Sequence, residues 1–190
     1  MASLLVATRQ LTTAENVTKR YADTVVLIKE FAAHPPTSER TLAALSRMNY
    51  IHGLYQKQGK ITNDGMLYTL SVFVTEPISW INRHEWRRLN DMETCAIATF
   101  WKSIGDAMGI DYSELPSSST SWQDGLHWFE EVEAWAQAYE VQNMLPNEAS
   151  RKTANFTMDV LLWHLPRRLQ GMGTTACTVL MDDRLRRAMG

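Results

Sequence analysis

The sequence predicts an all-α fold, a multi-helix bundle that forms one domain over residues 1–190. Apolar residues recur at the three- and four-residue spacing of a helix, and Gly, Pro, Asn and Ser separate the periodic segments. No segment alternates apolar and polar residues in the manner of a strand. A chain of 190 residues with 45% hydrophobic content can bury a sizeable core in one domain.

The first two helices are predicted from their caps and apolar faces. Thr12 or Thr13 can cap the first, which stops at His34-Pro35-Pro36 and has one apolar face made of Val17, Tyr21, Val25 and Ile28. Thr37 or Ser38 opens the second, which ends before Gly59. Its inward face is predicted to carry Leu45, Met48, His52 and Tyr55.

The middle of the chain predicts two long helices. Asn63-Asp64 is expected to cap the third helix, and Pro77 is expected to kink or break it, leaving a second helical piece over residues 78–86. Asn90 and Glu93 have the spacing of a capping box, which opens a helix that ends at Gly109.

The last third of the sequence predicts three further helices. Ser121 is expected to cap one that reaches about Met144. A second ends near residues 164–166, and a last helix covers residues 175–188.

Composition excludes two classes of partner. The 19 basic and 21 acidic residues give a net charge of -2, and the basic residues form no stripe, so a nucleic-acid partner is not expected. The longest apolar runs are far shorter than the roughly 20 residues of a membrane-spanning helix. Cys95 and Cys177 lie far apart and imply no disulfide framework. These features favour a cytoplasmic protein without a transmembrane segment.

His52 is the histidine whose position admits two interpretations. It shares the predicted inward face of the second helix, where it is either a hydrogen-bonded core histidine or an imidazole presented to an apolar cavity. The second arrangement is what an axial haem ligand requires. No CxxCH motif is present, so such a haem would be bound non-covalently.

A second candidate metal site is the group formed by Asp124, His127 and Glu131, which are spaced at single helical turns. This group suggests a non-haem metal enzyme as a weaker alternative. The sequence contains no GxSxG, phosphate-binding glycine loop or HExxH motif.

Several blocks in order carry a family resemblance. They are RMNYIHGLY at 47–55, NDGMLYTL at 63–70, WRRL at 86–89 with Glu93, and FWKSIGD at 100–106. From about Arg9 to Pro166 the chain resembles the fungal ER-bound oxygenases of mycophenolic acid biosynthesis, whose catalytic domain is shared with the bacterial rubber oxygenases (latex-clearing proteins).

The resemblance implies a distantly globin-like fold that holds one haem b, with iron bound by the histidine matching His52. It implies oxidative cleavage of a carbon–carbon double bond in a small isoprenoid-like, apolar substrate with dioxygen, in fungal secondary metabolism. Met48, Tyr55, Leu70 and Phe73 are then expected to wall the substrate channel. The resemblance also implies association with the endoplasmic reticulum.

On the oxygen side of the haem, the resemblance assigns catalytic positions to Arg9, Thr12 and Thr13. The rubber oxygenases have lysine where this sequence has Thr12. The threonines can still hydrogen-bond oxygen, and the alternative is that the three residues form a helix cap and a surface arginine.

Family members are expected to be about twice as long, with an N-terminal segment that includes a membrane anchor in the fungal cases. The sequence therefore predicts a short form that lacks the N-terminal part of the family domain. The alternative function is a truncated, non-catalytic helical module that binds haem or a partner.

Overall fold

The computed structural model describes residues 14–189, with side chains from residue 18 onward. Within this range it contains helices and no strand, which confirms the all-α prediction. The helices are α1 (Ala14–Ala32), α2 (Glu39–Gln56), α3 (Asn63–His84), α4 (Asp91–Ala107), α5 (Gly125–Asn143), α6 (Glu148–Leu161), α7 (Arg167–Leu180) and α8 (Asp183–Met189). In residues 14–189 no helix has the length and apolar character needed to span a membrane.

The described chain divides into two compact units. The central unit comprises residues 45–141, and the terminal unit comprises residues 14–44 and 142–189. The boundary at residues 44 and 45 falls within α2. The single-domain arrangement and the likeness to globins remain predictions.

The central unit is built around a buried tryptophan. Trp128 of α5 is fully buried, and α3 and α4 pack against each other in the same core. Burying side chains of this size is the main source of stability for a helical core. The other fully or almost fully buried apolar residues of this core include Leu67, Leu70, Val74, Ala98, Leu115 and Val132.

The terminal unit is held by α6, which packs against α1 and α8. Phe31 at the end of α1 and Leu162 after α6 are buried. Arg40 at the start of α2 donates two hydrogen bonds, of 2.7 and 2.6 Å, to Glu30 of α1. This pair lowers the pKa of Glu30, chiefly through the hydrogen bond from Arg40.

The start of α4 matches its prediction. Glu93 N–H donates to Asn90 Oδ1 at 2.9 Å, and Asn90 N–H donates to Glu93 Oε2 at 3.0 Å, so the capping box is confirmed. Arg87 adds two hydrogen bonds of 2.7 Å to the same carboxylate. Gly109, which ends the helix region as predicted, has a φ of +67°.

The start of α3 corrects a prediction. Thr62, not Asn63-Asp64, caps the helix, because its hydroxyl oxygen accepts the N–H of Gly65 at 3.2 Å. The amide of Asn63 instead pairs with the backbone of Asp111, with both hydrogen bonds at 2.9 Å. These bonds fasten the beginning of α3 to the segment that follows α4.

Pro77 does not break α3, so the prediction of a separate piece over residues 78–86 is wrong. The helix continues through Pro77 to His84. Val74 and Ile78, on either side of the proline, are buried in the core. Their burial offsets the backbone hydrogen bond that proline cannot donate.

Two predictions in the last third are also wrong. Ser121 has a φ of 68° and lies outside α5, and Asp124 Oδ1 accepts the N–H of His127 at 2.9 Å in its place. The predicted last helix is two helices, α7 and α8, with α7 beginning at Arg167 and α6 already ended at Leu161. Asp182 accepts the N–H groups of Arg184 and Leu185 at 2.8 and 2.9 Å, which starts a new helix there.

A close approach at Gly105 fixes α4 against its neighbours. A methyl group built on Gly105 would collide with the Tyr112 hydroxyl and would lie 2.5 Å from Leu70 Cδ2. Both neighbours are buried, so neither can move freely. Only glycine fits at this position of α4.

We therefore expect Gly105→Ala to lower the free energy of unfolding by about 1–3 kcal/mol through overpacking. Gly171→Ala in α7 is the matched control, because the added methyl group meets no atom within 4 Å. That variant should gain up to about 1 kcal/mol from helix propensity. Urea unfolding measures both, and a Gly105→Ala protein as stable as the parent would contradict the packing.

Candidate functional site

His52 lies on α2 within the central unit and is partly buried. Its Nδ1 atom is completely buried. Leu45 on the same predicted face is buried, and Met48 and Tyr55 are partly buried. The imidazole therefore projects from a half-buried, largely apolar helix face, as the periodicity predicted.

Two neutral side chains hold this face of α2 against its neighbours. Asn49 Nδ2, one turn before His52, donates to the Ala107 carbonyl at the end of α4 at 2.8 Å. Gln56 Nε2, one turn after His52, contacts Met66 Sδ of α3 at 2.8 Å. Residues three and four positions apart share a helix face, so the face that carries His52 is the one that meets α3 and α4. Sequence reasoning missed both polar residues.

Asn49 also leaves a buried acceptor beside this face. Its Oδ1 atom is buried and accepts no hydrogen bond from the described residues. Buried amide oxygens are normally satisfied, so this atom is available to a water molecule or a ligand. The next residue after His52 adds room, since a methyl group built on Gly53 would meet no neighbouring element of the described chain within 4 Å.

These features fit the donor set of a haem. The porphyrin nitrogens supply most of the ligands of a haem iron, so one side chain of the protein is enough to hold it, and an imidazole is suited to that role. The partly buried imidazole of His52, on a largely apolar face of α2, is compatible with that requirement. Within residues 14–189, no cluster of three or more His, Cys, Asp or Glu side chains could hold a bare metal ion.

The other predicted site residues divide into two sets. Arg9, Thr12 and Thr13 lie outside the described residues. Leu70 is a buried core residue, and Phe73 stacks on Trp101 with ring centroids 4.8 Å apart. The channel-lining role of these apolar residues remains a prediction.

The alternative metal group at Asp124, His127 and Glu131 is engaged in holding a loop. Asp124 caps α5, and the His127 Nδ1 atom accepts the backbone N–H of Gln123 at 3.3 Å. The His127 Nε2 atom lies 3.2 Å from Glu131 Oε1. With both ring nitrogens and the Asp124 carboxylate occupied, the described residues give no support to a non-haem metal centre here.

Glu131 is the centre of this hydrogen-bond network. It accepts the Ser117 N–H at 3.0 Å, the Ser117 hydroxyl at 2.6 Å and the Trp122 Nε1–H at 2.9 Å. Burial raises the pKa of the Glu131 carboxyl, but these hydrogen bonds and the neighbouring His127 imidazole outweigh it, so the pKa is lowered. The ionised carboxylate therefore fastens the loop that precedes α5.

We expect Glu131→Gln to cost about 1–3 kcal/mol at neutral pH, because partly buried donors lose their charged acceptor. The folded pKa lies below the ordinary value of 4.5, so this stabilisation is complete above 4.5 and is lost as the pH falls through the folded pKa. Urea unfolding at neutral pH and at about pH 3 should show the difference between variant and parent shrinking in acid. The exposed neighbour Glu130→Gln is the control, and an equal difference at both pH values would refute the assignment.

Comparison with known proteins identifies the family. The model described as "ER-bound oxygenase mpaB/B'/Rubber oxygenase, catalytic domain" matches residues 3–190. The ER-bound oxygenase mpaB of Penicillium roqueforti (strain FM164) is 45% identical over 186 residues, which cover 98% of this chain and 62% of that protein. The ER-bound oxygenase mpaB' of Penicillium brevicompactum is also 45% identical over 186 residues, covering 98% of this chain and 44% of the relative.

A third relative, the ER-bound oxygenase mpaB of Penicillium brevicompactum, is 43% identical over 159 residues, covering 84% of this chain and 41% of its own length. The chain thus spans less than two thirds of the length of these curated relatives. No solved structure is significantly similar to it. The family match over residues 3–190 confirms the resemblance seen in the ordered blocks: the chain belongs to the catalytic-domain family of the ER-bound oxygenases mpaB/B' and the rubber oxygenases.

Proposed function

We propose that the chain is a haem b-dependent oxygenase domain that cleaves a carbon–carbon double bond of a prenyl-type or other apolar substrate with dioxygen. The observation that carries the proposal is the position of His52 on the half-buried face of α2. The names of the relatives, which call them oxygenases, support the reaction class. We extend to this chain the association with the endoplasmic reticulum that their names also carry.

In this proposal the imidazole of His52 holds the haem iron. Haem b, when bound, supplies an iron atom at which dioxygen can be activated for oxidation of an alkene. Asn49 and Gln56 act as positioning residues, because they fix the face of α2 from which the imidazole projects. An imidazole whose helix cannot rotate loses little entropy when it binds a ligand.

The remaining tasks fall to other residues of the chain. Met48 and Tyr55 lie one turn on either side of His52 and supply partly buried apolar surface suited to an isoprenoid-like chain. Arg9, Thr12 and Thr13 are proposed to line the oxygen side, where a guanidinium and hydroxyl groups would donate hydrogen bonds to dioxygen.

We expect His52→Ala to lose most of the haem that the parent protein binds, because the variant lacks the imidazole that would hold the iron. The measurement is the haem content and Soret band of purified protein titrated with haemin. His164→Ala is the matched control, since His164 is exposed and lies in the terminal unit. His52→Gly with added imidazole should regain the Soret band of the parent if the imidazole binds the iron.

Unchanged haem content and an unchanged spectrum in His52→Ala would refute the role of His52. A parent protein that stays colourless and takes up no haemin would instead favour the non-catalytic helical module. A haem-loaded protein that consumes dioxygen with an isoprenoid alkene would exclude that module.

A further inference from the structure

Three aromatic rings stack in a row in the central unit. Tyr139 of α5 lies between Trp135 of the same helix and Tyr68 of α3. The ring centroids are 5.1 Å apart for Trp135 and Tyr139 and 5.0 Å apart for Tyr139 and Tyr68, with interplanar angles of 24° and 26°. Offset stacking at this distance brings the π systems into direct contact. The row therefore forms a continuous path of oxidisable side chains.

Each end of the row has a carboxylate hydrogen-bonded to its ionisable proton. Trp135 Nε1–H donates to Glu114 Oε2 at 2.5 Å, and the Tyr68 hydroxyl donates to Glu140 Oε1 at 3.1 Å. An indole or phenol that loses an electron becomes far more acidic. A neighbouring base that takes the proton makes such an oxidation much easier, and both terminal rings have one.

The charges around the row favour a positive hole over an added negative charge. Burial raises the pKa of Tyr68, and the charges of Glu140 and Glu76 raise it further. Burial also raises the pKa of Tyr139, with additional contributions from Asp64 and Glu114. The phenols thus keep their protons in the resting protein, and the same carboxylates stabilise positive charge that appears on the rings.

We propose that this row transfers a one-electron oxidation from Trp135 through Tyr139 to Tyr68, where it rests as a neutral phenoxyl radical. The oxidants are oxygen-centred radicals of the kind that reactions of dioxygen with alkenes release. The proposal does not depend on the haem assignment.

The transfer conserves atoms and electrons at each step. The oxygen-centred radical takes one electron from Trp135 and one proton from solvent, and the indole Nε1 proton passes to Glu114. One electron then moves from Tyr68 through Tyr139 to the indolyl radical, which recovers the proton from Glu114. The phenol proton of Tyr68 passes to Glu140 and from there to solvent. The direction follows because a phenol that can give its proton to a base is easier to oxidise than an indole.

The test is flash photolysis of the purified chain with tris(bipyridine)ruthenium and a sacrificial quencher, which generates a one-electron oxidant within a laser pulse. In the parent protein we expect indolyl absorbance to decay as phenoxyl absorbance rises, and freeze-quench EPR to show the tyrosyl radical. Tyr68→Phe should lose the major part of the phenoxyl signal and lengthen the life of the indolyl radical. Tyr50→Phe is the matched control, because Tyr50 is 60% exposed on α2 and is not part of the row.

Glu140→Gln keeps the shape of the proton acceptor but removes its basicity. This variant should form the phenoxyl radical more slowly than the parent. It tests the proposal independently of the Tyr68→Phe variant, including the case in which that variant does not fold. Circular dichroism and urea unfolding check that each variant is folded. A Tyr68→Phe protein with the phenoxyl yield of the parent would overturn the proposal, as would a Glu140→Gln protein with an unchanged rate of phenoxyl formation.

Discussion

The arrangement of the central unit depends on the missing side chain at Gly105. Because α4 has no Cβ there, Leu70 of α3 and the Tyr112 hydroxyl can both reach the backbone of α4. The chain can then reverse directly after the helix, with Ile110 N–H donating to the Gly105 carbonyl at 3.1 Å. Two residues on, the Ala107 carbonyl accepts a hydrogen bond from the Asn49 amide. This bond helps to hold the face of α2 that carries His52. The close packing at Gly105 is thus connected to His52 through the end of α4 and the hydrogen bond between Ala107 and Asn49.

Local signals predicted the fold class and several helix ends, because caps and glycines act within a few residues. The capping box of Asn90 and Glu93 is an example that needs no tertiary information. The failures occur where distant contacts override a local preference. Pro77 remains inside α3 because Val74 and Ile78 are buried in the core. Asn63 does not cap α3, because its amide pairs with the backbone of Asp111 after α4. The boundary between α7 and α8 was not predicted, because the cap at Asp182 is the local signal that marks it and no other turn residue accompanies that cap.

The candidate site was predicted in part. Periodicity predicted an inward position for His52, whose side chain is partly buried, and the resemblance supplied the proposal that it binds iron. Neither signal could predict the contacts of Asn49 and Gln56, because their partners are Ala107 and Met66 on other helices. The row of Trp135, Tyr139 and Tyr68 was missed for the same reason, since only folding brings Tyr68 of α3 against α5. Arg9, Thr12 and Thr13 remain sequence-based assignments.

The contacts that hold the His52 face have a consequence for solution conditions. Asn49 and Gln56 carry uncharged amides, which neither titrate nor attract counterions. The cap of α4, by comparison, is reinforced by the ion pair of Arg87 and Glu93, and exposed ion pairs weaken as salt screens them. The placement of the imidazole should therefore be insensitive to ionic strength, even where the first turn of α4 begins to fray.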